Sequence, residues 1–256
     1  MSVPYVKADP SAPPGFYEVE AAGLRWLAEV PDGVSVVPVR DVGASSITLA
    51  RLDQVAPTRT AAEDLGRRLA VTHAAGAPWF GAPPDGWAAD GFIGPLPLPH
   101  ALGGPPGSFG EFYARYRLEP FLGRARDDGT LDGAQADRVD RLVDRIAAGE
   151  LGADDEAPSR IHGDLWSGNV LWTPSGVVLV DPAAHGGHRE TDLAMLALFG
   201  LPRLDTVLAA YDEAAPLAAG WRERVPLHQL HPLLVHVVLF GGGYVGSLLG
   251  AVGRFA

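Results

Sequence analysis

Ile161-His162-Gly163-Asp164-Leu165-Trp166-Ser167-Gly168-Asn169, followed by Val177-Val178-Leu179-Val180-Asp181-Pro182, is the stretch on which the reading of this chain turns. Asp164 and Asn169 stand five positions apart, and Asp181 closes an apolar run twelve positions later. Phosphoryl transfer from ATP needs a carboxylate to orient a hydroxyl and take its proton. It also needs hard oxygen ligands to hold Mg2+ on the phosphates. An Asp, an Asn and a second Asp in this order supply those groups. Asp164 is therefore the candidate catalytic base, and Asn169 and Asp181 are the candidate magnesium ligands. His162 is expected to orient the loop through hydrogen bonds. The segment reads as loop, strand, turn and strand, and a strand end would hold Asp181 firmly.

Composition narrows the alternatives. The 256 residues suffice for one large domain or two lobes with a substantial core. Twenty basic against 31 acidic residues give a net charge of -11, which argues against an extended nucleic-acid footprint or binding to anionic lipid. With no cysteine, disulfides, thiolate nucleophiles and Cys-ligated zinc are excluded. Residues 1–7 lack the basic flank and apolar run of a signal peptide. The longest apolar stretch, residues 233–249, is short for a membrane span and is interrupted by His236, Gly241-Gly242-Gly243 and Ser247. A soluble cytoplasmic protein is expected, monomeric or weakly dimeric, with neither nucleic acid nor membrane as partner.

Outward from the motif, residues 3–8 read as a strand and 16–29 as a helix. Val19, Ala22, Trp26, Leu27 and Val30 fall at helical spacing as its buried face. Residues 34–39 and 46–52 read as strands around a turn at 41–44. The pattern over 60–75 is helical, with Leu65, Leu69, Val71 and His73 among charged positions. Residues 77–107 are dense in Pro and Gly and read as a long ordered loop, a length usually tied to function. Helices are expected over 109–122, 134–148, 191–199, 204–214 and 227–249, and a solvated linker at 154–158. The fold class is α+β: a small mixed N-terminal lobe, residues 1–53, and a larger, mainly helical lobe, residues 54–256.

Lys7 ends the first strand, and Glu18 and Glu20 open the next helix. A strand lysine paired with a helix glutamate can hold ATP phosphates, and Glu20 is the favoured partner. His228, His231 and His236, or His185 and His188, offer zinc-like spacings, but no HExxH arrangement supports them and structural roles are expected. His231 and His236 are alternatively placed at a substrate cleft behind Asp164. Trp221 and Tyr244 read as core or rim aromatics, with stacking on a sugar-amine as the alternative. Asp192 reads as an anchor that braces the catalytic loop. Gly241-Gly242-Gly243 lacks the Lys and Ser/Thr of a phosphate loop and reads as close helix packing or a helix break.

Three blocks carry a resemblance: His162-Gly163-Asp164-Leu165-Trp166-Ser167-Gly168-Asn169-Val170, Asp181-Pro182-Ala183, and Gly187-His188-Arg189-Glu190-Thr191-Asp192-Leu193-Ala194-Met195. They resemble the fructosamine kinase (ketosamine-3-kinase) family, within the aminoglycoside phosphotransferase-like, protein-kinase-like fold. Weaker similarity at Tyr5-Val6-Lys7, residues 16–24, Gly91-Phe92-Ile93-Gly94 and residues 228–244 extends it over nearly the full length. The resemblance implies a two-lobed fold and ATP-dependent phosphorylation of the sugar 3-hydroxyl of ketosamines, small or protein-bound. The phosphorylated adduct then decomposes and the sugar is removed. Asp164 is implied as base, Asn169 and Asp181 as magnesium ligands, and Lys7 with Glu20 as the phosphate-positioning pair. Trp166 and Arg189 fall to substrate or loop support. Adenine would sit at the interlobe hinge by Leu49 and Arg51, where the family often has a Glu and this chain has Ala50 or Arg51.

Alternatives on the same scaffold are a kinase for an aminoglycoside, choline or homoserine, or a catalytically weak or inactive binding protein. In the family, two strands joined by a Gly-rich loop precede the lysine strand and cover the phosphates. Six residues precede Lys7 here, too few for that hairpin. The expectation is an N-terminal lobe without it, the lysine strand an unpaired edge, weak ATP binding and slow turnover. Extension upstream by such a hairpin would then raise the rate.

Overall fold

A computed structural model describes residues 3–152 and 156–255. Asp154 and Asp155, read as part of a linker, lie outside the described residues. The chain opens with β1 (Tyr5–Ala8), α1 (Phe16–Ala28), β2 (Ser35–Val36), β3 (Val39–Gly43) and β4 (Ser46–Leu49). β1, β4 and β3 form an antiparallel sheet in that spatial order, with Lys7 opposite Ile47. α1 lies against it through Tyr17, Ala21 and Leu24, which pack with Ile47 and Leu49. The buried face of α1 is thus rotated from the expected one. Trp26 and Leu27 are buried against Ala184, but Val19, Ala22 and Val30 are only half-buried. Val19 faces an open cleft instead.

Residues 34–39 are not one strand. Ser35 and Val36 pair in parallel with a strand far along the chain, and Val39 begins β3. Pro38 stands between the two pairings, where a residue without an N–H can break a ladder. β3 runs through Gly43, opposite Ser46, so the turn is Ala44-Ser45 rather than 41–44. β4 stops at Leu49, short of the expected residue 52.

α2 (Arg59–Ala74) buries Leu65, Leu69 and His73. Val71 is 40% exposed, because two residues past Leu69 lies on the opposite side of a helix with 3.6 residues per turn. Within 77–107 the structure has a hairpin that the loop reading missed: β5 (Gly91–Ile93) and β6 (Leu96–Leu98), joined at Gly94 with φ of 53°. α3 (Phe109–Phe112) continues through a π-helical turn (Tyr113–Leu118) into α4 (Glu119–Asp127), followed by α5 (Gly133–Ala147). α5 carries a reciprocal Asp132–Gln135 capping box, which closes two of its open backbone donors.

β7 (Ser159–Ile161), β8 (Val170–Thr173), β9 (Gly176–Leu179) and β10 (His185–Gly187) surround the candidate catalytic segment. β8 and β9 form a hairpin with β2 at its edge, and β10 pairs with β7. α6 (Arg189–Leu198) and α7 (Leu204–Ala214) follow. The single helix expected over 227–249 is instead α8 (Trp221–His228), α9 (Leu230–Phe240), a 3-10 turn (Gly241–Tyr244) and α10 (Val245–Val252). Gly241 has φ of 75°, and a Cβ on any of the three glycines would meet nothing, so they break the helix and pack against no neighbour. By length and composition the run Trp221–Val252 could cross a membrane. The run bends after His228 and at Gly241, and its Leu230, Leu234, Val237 and Leu248 are buried in the main helical core.

Candidate active site

β7 ends at Ile161, and the chain turns sharply at Gly163, φ 81°, where a Cβ would lie 2.2 Å from the Ala183 carbonyl oxygen. Only glycine fits there. The turn is fastened from behind by Asp192 near the start of α6. Its Oδ2 accepts from the His162 N–H at 2.8 Å and its Oδ1 from the Gly163 N–H at 3.0 Å. Oδ2 also meets His73 Nε2 at 3.1 Å, and His73 Nδ1 meets the Tyr211 hydroxyl at 2.8 Å. His162 is buried, with Nε2 donating to the Val180 carbonyl at 2.9 Å and Nδ1 accepting from the Asp164 N–H at 3.3 Å. It thus ties the loop to the residue before Asp181.

Asp164, Asn169, Asp181, Lys7, Glu20 and Trp166 line one cleft of about 250 Å³. The Asn169 amide nitrogen donates to the Asp164 carbonyl at 2.8 Å and to Asp164 Oδ2 at 3.1 Å. The amide oxygen takes no hydrogen bond among the described residues. Asp181 has φ of 55°, a conformation costly for a residue with a Cβ and concentrated at functional sites. Lys7 Nζ bridges Glu20, at 2.9 and 2.8 Å to its two oxygens, and Asp181 Oδ1 at 2.9 Å.

Burial pushes the Asp164 carboxyl up to about 7; the Asn169 hydrogen bond opposes the shift, and the Asp181 and Asp192 charges add to it. Such a group is matched to accepting a proton near neutrality. Burial also disfavours the Lys7 ammonium, but Glu20 and Asp181 outweigh it and hold its pKa above the ordinary value. Burial raises Glu20, with Lys7 working against the rise. An unpaired amide oxygen and a carboxylate facing one cleft are hard donors suited to Mg2+.

A second cleft of about 320 Å³ meets the first at Asp181 and is lined by Leu49, Ala50, Arg51, Leu52, Val180 and Leu171 among others. The Ala50 N–H donates to the Pro38 carbonyl at 3.0 Å, whereas the N–H groups of Arg51 and Leu52 have no partner among the described residues.

The remaining candidates lie elsewhere. Arg189 grips Glu156 with two 2.6 Å hydrogen bonds and also donates to the Ala215 and Pro216 carbonyls, bracing α6 away from the cleft. His231 does not face the cleft. It is buried against Phe121, with Nδ1 on the Arg117 carbonyl at 2.9 Å, because α9 turns that side into the helical core. His236 lies nearer the surface among rings, and Trp221 is buried. His188, Glu190 and His228 bring ligand-type atoms within 4.8 Å of one another. However, His188 Nδ1 accepts the Glu190 N–H at 3.1 Å, which leaves the ring proton on Nε2. Arg224 takes both Glu190 oxygens, at 2.9 and 2.5 Å. The group is a buried ion-pair knot.

Phe16, Val19, Phe92, Ile93 and Gly94 complete the cleft wall and were not singled out from sequence as site residues. The weak family resemblance at Gly91-Phe92-Ile93-Gly94 was the available signal.

A profile of the fructosamine kinase family matches residues 3–254. A protein of Thermus thermophilus named as a ketoamine kinase is 37% identical over 250 residues, which span 96% of this chain and 85% of that protein. A solved structure from Thermobifida fusca, described as a fructosamine-3-kinase, superposes with a TM-score of 0.90 at 48% identity over 98% of this chain and 84% of that one. An aminoglycoside phosphotransferase in complex with gentamicin superposes at 0.61 with 12% identity, over 97% and 83%, and shares the fold alone. The Asp164 cleft, the architecture around it and these full-length matches agree, and the chain belongs to the fructosamine kinase family.

Proposed function

We propose that this chain transfers the γ-phosphoryl group of ATP to the sugar 3-hydroxyl of ketosamines, the adducts formed when sugars glycate amines. The observation that carries the reading is the convergence of Asp164, Asn169, Asp181 and Lys7 on one cleft in a member of this family. Asp164 orients the acceptor hydroxyl and takes its proton as the O–P bond forms. Lys7, held by Glu20, donates hydrogen bonds to phosphate oxygens. Asn169 through its amide oxygen and Asp181 through its carboxylate would hold Mg2+. The ion would neutralise charge on the phosphates. Adenine fits the second cleft, above Leu49, with the unpaired N–H of Arg51 or Leu52 toward its edge. His162, Arg189 and His231 support the loop and α6 and α9. Trp166 and His236 stand on the acceptor side.

Residues 1–53 serve the nucleotide and residues 54–256 the acceptor and catalytic loop. Decomposition of the phosphorylated product would make the reaction a deglycation step, and we place it in the cytoplasm, where intracellular amines are glycated. The test is phosphate transfer from ATP with magnesium to a fructosamine, a ribulosamine, an aminoglycoside and choline. Phosphorylation of the ketosamines is expected, and the position of the phosphate by NMR is expected at the 3-oxygen. Turnover of the aminoglycoside or choline alone would overturn the reading.

A further inference from the structure

The acceptor-side wall is built of rings, and the rings continue past the cleft. Trp166 lines the cleft, and its indole covers Gly168 so closely that a Cβ there would lie 2.3 Å from it. Phe199 follows at 6.1 Å between ring centroids, and His236 lies 4.8 Å beyond Phe199. Phe240 and Tyr244 stand 5.3 and 4.9 Å from His236, and 5.9 Å from each other. On the other side of the mouth is Gly94, the hairpin tip that lines the cleft. A Cβ built on it would be 3.6 Å from Leu239, the neighbour of Phe240. The strip therefore borders the cleft mouth.

Trp166 is 39% exposed and Phe240 63%. Contiguous apolar surface of this kind marks a binding region. The break at Gly241 and the 3-10 turn bring Tyr244 back beside Phe240. His236 donates Nδ1–H to the Pro232 carbonyl at 2.7 Å, and burial lowers its pKa, so the strip carries no charge of its own.

We propose that this strip receives the amine-side substituent of the ketosamine. Phe240 and Tyr244 then select adducts of amines bearing an aromatic ring or long alkyl chain over adducts of small amines. The inference rests on the ketosamine reading above. With the 3-hydroxyl at Asp164 and the nucleotide beyond it, the amine end of the acceptor leaves by the mouth, along the rings. Their faces would stack on an aromatic substituent and attract the secondary ammonium of the adduct.

The experiment compares kcat/KM for the fructose adducts of phenylethylamine and of glycine, in the full chain and in a Phe240→Ala/Tyr244→Ala variant. The unaltered chain is expected to favour the phenylethylamine adduct by roughly tenfold, the scale of a well-formed aromatic contact. In the variant the ratio is expected to fall to within about twofold. Tyr244 packs partly against the helical core, so Phe240→Ala alone, whose ring is largely in water, is measured beside it and is expected to lower the ratio with the thermal melt unchanged. A ratio near one in the unaltered chain, or the same ratio in both proteins, overturns the strip's role while leaving the kinase reading intact. Phosphorylation of neither adduct overturns the ketosamine reading and the inference with it.

Discussion

Asp164 is a carboxylate that the fold keeps in an unfavourable place. Burial lifts its pKa to about 7, and the groups nearest it include two further carboxylates. Stability does not call for that arrangement, but the base role proposed for Asp164 does. Asp164→Asn is expected to lower phosphoryl transfer by about 10²–10⁴-fold without lowering the melting temperature, since the amide removes a buried charge and keeps the shape. ADP release and a thermal melt measure the two effects. A loss under about tenfold would leave the base assignment unsupported. Lys7 makes the opposite case. Glu20 is 7% exposed, Lys7 is the cation that compensates it, and the Asp181 charge works against it. Lys7→Met should therefore destabilise the fold by about 2–4 kcal/mol, because it strands a buried carboxylate. Adding Glu20→Gln should recover most of the stability and none of the ATP affinity. Denaturant melts and the KM for ATP separate these outcomes. Recovery of nucleotide affinity in the double variant would remove Lys7 from the phosphate site.

Between elements, α2 approaches α7 closely at Gly66. A Cβ there would lie 2.3 Å from the Val207 carbonyl oxygen and 2.9 Å from the Tyr211 nitrogen. Alanine is the better helix former by about 1 kcal/mol, so propensity alone predicts that Gly66→Ala stabilises. Packing predicts the reverse, a loss of about 1–3 kcal/mol as the helices are forced apart. Their separation would also strain the Tyr211–His73–Asp192 chain that fastens Gly163. A higher melting temperature in Gly66→Ala would show that the contact is not tight. Elements of this kind were legible in the sequence where the signal was local and long. α2 and α7 show their periodicity over several turns. Asp164, Asn169 and Asp181 lie close along the chain and are residue types with few other reasons to occur in that order. The β5–β6 hairpin was not legible, because three-residue strands offer too little alternation to count. Neither was the division of residues 34–39, since the partner that claims Ser35 and Val36 lies at Val178 and Leu179. The cleft walls at Phe16, Phe92 and Ile93 escaped for a related reason: apolar side chains carry no chemical signature until topology brings them together.

Across the whole molecule, an unusual share of the buried polar groups are histidines held neutral. His100, His162, His185, His188 and His231 are buried, and burial is the main cause that lowers the pKa of each, to about 4 for His100 and about 3 for His231. Unfolding returns them to an ordinary pKa of about 6.5. Below that pH the unfolded chain binds protons that the folded chain refuses, so stability is complete above about pH 6.5 and declines as the pH falls toward the folded-state values. Each such group contributes a slope of about 1.4 kcal/mol per pH unit once well below 6.5. Asp164 acts in the other direction. Its folded pKa lies above its unfolded value, so acid relieves it between about pH 7 and pH 4. Glu20, also raised, adds to that relief. Glu190, held at about 2 despite its burial by His228 and Arg224, loses its contribution only below about pH 4.5. The five histidines outnumber the two opposing acids, so the net slope between pH 6.5 and pH 5 is toward instability. The urea midpoint at pH 5 is therefore expected well below that at pH 7.5, with the same m-value. Equal midpoints would mean that these rings take up protons in place, through rearrangement of the helical core around Arg117 and the His188–Glu190–His228 knot.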